Sequence, residues 1–179
     1  MTGVQTCALP ICTFLVLANR VIKHICELPQ HFIPLDRTDS NFDFLGKRLE
    51  AEIGINSPLT EFVKSNADGV RYLIDLRNFH EHSKETRTII ENFSLTPDSR
   101  IQVPMWHLSN QGPHPIKEEM SATILFLMQM AEAMLIHLVM HSISKKFPFI
   151  IEEVPDDSVD LKNPIKYRLS VDVNKLKFA

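Results

Sequence analysis

Apolar positions in the first third of the chain recur at helical spacing. Phe14, Leu17, Val21, Ile25 and Leu28 follow one another at intervals of three and four. That is the spacing of a helix burying one face, and Pro29 supplies its stop. A polar loop over 30–41, carrying Pro34, Asp36, Thr38, Asp39 and Ser40, leads to a second stripe of Phe42, Leu45, Leu49 and Ile53, ended by Gly54 and Asn56. Ser57-Pro58 places a cap residue before a proline at a first helical position and opens a short helix through Leu59, Phe62 and Val63.

Asn66 to Asp68 starts the next segment. Val70, Leu73 and Ile74 give one apolar stripe, and Phe79, Thr86, Ile90 and Phe93 another, with the change of face near Arg77. The spacing predicts one helix running to Pro97, either buried on two sides or broken at Arg77. Ile101, Val103 and Met105 alternate as a short strand before a loop with Pro104, Pro113 and Pro115. The longest predicted helix covers Ile116 to Ser144, apolar from Ala122 to Met140. About 18 apolar residues suffice to cross a membrane, but Gln129, Glu132 and His137 interrupt this run, so a central core helix is expected and no membrane association. Beyond Lys145-Lys146, Phe147 to Ile151 and the alternation of Tyr167, Leu169, Val171 and Val173 predict a β-hairpin with a polar connection through Asp156, Asp157, Asn163 and Pro164. The expected fold is mainly α: a bundle of four to five helices with a small C-terminal β-hairpin.

Composition changes this picture little. Residues Thr2 to Ile11 (TGVQTCALPI) resemble the in-frame translation of a sequencing adapter, and 1–12 are therefore set aside as adapter-derived. About 167 residues remain, enough for a single domain. Cys26 is then the one secure cysteine, and its apolar helical neighbours suggest a buried thiol. With no disulfide framework, a reducing, cytoplasmic setting is expected. A net charge of -3 and a pI near 6.2 exclude wrapping of nucleic acid through bulk electrostatics, so any RNA contact must be local.

The candidate chemistry lies in Arg77-Asn78-Phe79-His80-Glu81-His82. Cleaving RNA by attack of its own 2′-hydroxyl needs a proton acceptor or donor near neutrality and a cation facing the developing phosphorane. Histidine meets the first need because its ordinary pKa lies near the working pH. Arginine meets the second with an always-charged fork that matches phosphate oxygens. Arg77 is assigned to phosphate stabilisation, His82 to proton transfer, and Asn78 to orienting the site or capping the following turn. His80 and Lys84 are auxiliary candidates. The chemistry needs no metal and no cofactor. In an ideal helix, residues five apart stand about 140° apart around the axis, so Arg77 and His82 of one straight helix would not face the same point.

The segment Leu76 to His82 resembles the R-x4-H motif of the HEPN superfamily, whose ribonuclease members favour a polar residue such as Asn directly after the arginine. The resemblance covers residues 13–146 by expected architecture and about six residues by motif; 147–179 would be a β-rich extension. It implies an endoribonuclease in a toxin–antitoxin or phage-defence setting. It also implies a homodimer whose two motifs meet in one cleft, an RNA substrate, and a cognate antitoxin or regulatory partner. HEPN toxins silenced by nucleotidylation carry a tyrosine two residues after the histidine. Lys84 stands there instead, so that silencing is not implied. The alternative within the resemblance is a non-catalytic binding module for a nucleotide, RNA or partner protein.

Blander readings compete at each residue. Arg77 has Asp75 and Glu81 as candidate ion-pair partners, Glu81 at i+4. His137 and His141 share a helix face, but a zinc site needs a third and usually a fourth ligand. Met120, Met128, Met130, Met134 and Met140 read as core filler. Trp106 and His107 suit either base stacking or packing, the latter being the commoner use.

Overall fold

The computed structural model describes residues 8–37, 40–82, 86–143, 149–160 and 166–171, and of Ala8, Leu9, His80, Glu81 and Asp156 only the backbone. Within them the helices are α1 (Ala8–Glu27), α2 (Phe42–Ile53), α3 (Pro58–Ser65), α4 (Ala67–Glu81) and α5 (Ile116–Ser142). The strands are β1 (Thr88–Glu91), β2 (Ser94–Leu95), β3 (Ile101–Gln102), β4 (Met105–Leu108), β5 (His114–Pro115), β6 (Phe149–Glu153) and β7 (Tyr167–Val171).

Local chemistry explains most boundaries. α1 starts before Phe14, at Ala8, and gives way at Pro29 to a tight turn over Leu28–His31. Asn41 caps α2 by accepting the Phe44 amide hydrogen at 3.0 Å, and Gly54 ends that helix at φ 91°, a backbone region that disfavours a Cβ. Pro58 opens α3 at its first position, where a missing N–H costs nothing. The helices share one core. α1 packs on both α4 and α5, α2 on α3 and α4, and α3 on α5. Leu15, Ile22, Leu45, Leu49, Val63, Leu76, Met134 and Leu138 are all but removed from water.

The expectation of a helical bundle with a single hairpin is overturned between α4 and α5. No helix continues to Pro97. The chain stops being helical at Glu81, returns as β1, and builds the antiparallel sheet β1-β4-β5 and the ribbon β2-β3 before α5 begins. With the C-terminal ribbon β6-β7 there are three small sheets among the described residues, so the molecule is mixed α and β. The cause lies in the residues themselves. Thr86, Thr88, Ile89 and Ile90 are β-branched, a class that loses side-chain freedom in a helix and packs well on a pleated surface. Ile90 lies opposite Trp106 in the β1-β4 register, and Trp106 is fully buried against Phe14 of α1 at 6.1 Å between ring centroids. The helix-like spacing of Thr86, Ile90 and Phe93 coincided with a strand and the start of a ribbon.

The C-terminal hairpin has its strands at Phe149–Glu153 and Tyr167–Val171, with Phe149 opposite Val171 and Glu153 opposite Tyr167; the first begins later than the expected Phe147–Ile151, and Phe147, Asn163, Pro164 and Val173 lie outside the described residues. It is fastened to α5 by the Lys166 amide, which donates to Glu132 Oε1 at 2.7 Å. Among the described residues, α5 is the one helix long and apolar enough to cross a membrane by length and composition. In the fold it carries α1, α3 and β5.

Candidate functional site

α4 ends inside the motif. Leu76 is fully buried and anchors the last turn in the core, and Arg77, Asn78 and Phe79 follow half-buried at its edge. Arg77 Nη1 donates to Asn78 Oδ1 at 3.1 Å, which sets the guanidinium beside the amide. The Asn78 carbonyl accepts the His82 amide hydrogen at 2.8 Å, the final helical bond. His82 then leaves the helix at φ -130° and ψ 66° with its side chain exposed. The helical register thus reaches the His82 amide, and the chain turns at this residue.

A residue outside the motif holds this turn. The Thr88 hydroxyl, on β1, donates to the Leu76 carbonyl at 2.7 Å in a half-buried position. The Leu76 carbonyl lies a turn in from the end of α4, which runs to Glu81, so Thr88 adds a side-chain donor from the neighbouring strand to a carbonyl inside the helical ladder. Sequence reading missed Thr88 because it placed 88–91 on the helix. The signal was the β-branched run around it.

The remaining sequence candidates fall as follows. His80 lies in the last turn of α4, with its side chain outside the described residues, and Lys84 lies outside them altogether. Earlier in this helix, Arg71 grips Asp43 with two nitrogens and reaches Asp68 at 2.9 Å. The Asp75 carboxyl is pushed up by burial, with Arg71 pulling it down and Asp43 adding to the rise. Burial, with help from Glu119, pushes the Tyr72 hydroxyl up to about 12. His137 stacks on Phe62 at 4.8 Å, and its burial lowers its pKa. Among the described residues, no three His, Cys, Asp or Glu side chains come together as a metal would require. Trp106 is a core residue, and His107 Nδ1 lies 2.9 Å from the Gln111 carbonyl. Of the five methionines of α5, Met130 and Met134 fill the core while Met128 and Met140 face water.

A cavity of about 590 Å³ opens between β2-β3, the first turn of α1 and the first half of α5. Arg77, Asn78 and His82 do not line it. Comparison with known proteins found no matching family model, no matching curated protein and no matching solved structure.

Proposed function

We propose that this chain is a metal-independent endoribonuclease of the HEPN type, acting in the cytoplasm on RNA in a toxin–antitoxin or phage-defence setting. The observation that supports the reading most is the end of α4. There the side chains of Arg77 and Asn78 are hydrogen-bonded, and an exposed His82 follows at the point where the helix stops. In the proposed reaction His82 takes the proton of the 2′-hydroxyl, and the freed oxygen attacks phosphorus. Arg77 faces the charge on the phosphorane oxygens. The P–O5′ bond then breaks, and a protonated histidine returns a proton to the departing 5′ oxygen. The products carry a 2′,3′-cyclic phosphate and a 5′-hydroxyl. Two chains supply the site, each bringing one Arg77 and one His82 to a shared groove, under the control of a cognate antitoxin or regulatory protein.

Cleavage of a labelled RNA pool in chelator tests this. The wild-type chain cuts, and Arg77→Ala and His82→Ala, folded by circular dichroism, each lose on the order of 10²–10⁴-fold in rate. A second reading, a non-catalytic module binding a nucleotide, RNA or partner protein, draws on the Arg77–Asn78 bond, which engages one guanidinium nitrogen locally. Folded wild type that retains RNA on a filter without cutting it would favour this second reading.

A further inference from the structure

The ribbon β2-β3 is amphipathic and its apolar side is exposed. Leu95 lies opposite Ile101 and Ser94 opposite Gln102. Side chains alternate between the two faces of a strand, so Phe93, Leu95, Ile101 and Val103 share one face, with Ser94 and Gln102 on the other. All four are exposed: Phe93 65%, Leu95 75%, Ile101 71% and Val103 48%. The tip is shaped to present them. Thr96 N–H donates to the Arg100 carbonyl at 2.9 Å, and Ser99 sits at φ 61°, a left-handed turn conformation uncommon outside glycine. Two-stranded ribbons are at best marginal in water without a packed face.

Beside this ridge lies its complement. The 590 Å³ cavity is walled by Phe93 and Val103 at the base of the ribbon, by Ile116, Met120 and Ile124 of α5, and by Pro10 and Ile11 of α1, which fall in the segment set aside above; Ile124 is itself 51% exposed. Ridge and groove are adjacent on one chain, so a two-fold axis can seat each ridge in the other copy's groove, as an isologous interface requires. The charges at the edges suit a like partner. Lys117 and Glu118 both flank the groove, and Arg100 pairs with Asp98 at the tip, so neither surface carries a field of one sign. Phe93, Leu95, Ile101, Val103 and Ile124 together expose roughly 500 Å² of apolar surface, near the upper end of what a monomer leaves to water. That is more than half of the roughly 800 Å² per partner in a standard interface.

We propose that the face formed by β2-β3 and the first half of α5 is the surface on which a second copy of this chain docks, Leu95 and Ile101 of each entering the groove of the other. The proposal rests on the dimeric reading of the site above and gives it a location. β1 connects the end of α4 to this ribbon along the chain.

Sedimentation velocity of the full chain over a range of concentrations tests the proposal. Expected are a dimer for wild type, a monomer for Leu95→Asp/Ile101→Asp with unchanged circular dichroism, and a dimer for Leu169→Asp, which adds a charge at an exposed apolar residue of β7. A monomeric wild type, or a Leu95→Asp/Ile101→Asp variant that stays dimeric, overturns the proposal. RNA cleavage is read on the same samples. A wild-type dimer that loses its partner on ribbon substitution but never cuts RNA keeps the surface and removes the nuclease.

Discussion

His137 shows how one side chain sets a pH limit. Its ring stacks on Phe62, and burial holds its pKa below the ordinary 6.5. The folded state therefore favours the neutral ring, while the unfolded chain takes up the proton more readily in the window just below 6.5. The stability from this group is fully present above 6.5 and is lost as pH falls through the lowered folded value. Thermal melts above and below 6.5 check this. His137→Phe, which keeps a ring on Phe62, should show a smaller drop in Tm on acidification than wild type, and an equal drop in both would contradict the assignment. At this scale the motif was legible, because Arg77, Asn78 and His82 are neighbours in sequence and the end of one helix sets their arrangement. Thr88 was not legible as part of the site, since its bond to Leu76 exists only once β1 lies against α4.

Between elements, the join of α4 to β1 carries the most consequence. Thr88→Val deletes the hydroxyl at nearly constant volume and removes the bond that ties β1 to the Leu76 carbonyl. A loss of about 1 kcal/mol in unfolding free energy follows for a net hydrogen bond, with faster hydrogen exchange at the His82 amide, while Thr88→Ser retains both. Slow exchange in the valine variant would show that the turn holds without the clamp. The helices of the first half were readable because caps and breakers coincide with apolar stripes: Asn41 and Gly54 around α2, Pro58 at α3. Residues 88–97 were not, whereas the strand expected over Ile101, Val103 and Met105 is present as β3 and the start of β4. Thr86, Ile90 and Phe93 fall three and four apart and imitate a helix, and the strands that displace it pair residues well separated in sequence, such as Ile90 with Trp106. Periodicity within a window carries no information about such partners.

For the whole molecule, Trp106 is the single tryptophan and sits where the sheet meets α1. Its fluorescence and the helical circular dichroism should therefore change at one denaturant midpoint if sheet and helices unfold together. An earlier fluorescence midpoint would mean that the sheet detaches first. The order of synthesis adds a different constraint at α5. A chain emerges from the ribosome N-terminus first, so α5 is made before β6 and β7 exist. Until Lys166 arrives, Glu132 lacks the backbone amide it accepts from in the finished fold. A nascent chain stalled in that interval displays a helix whose length and composition suit lipid, with the ribbon that borders it still unmade. The hairpin translated after α5 thus bears on whether membrane-insertion and quality-control machinery meet α5 as a lipid-seeking segment or as the centre of a folded domain.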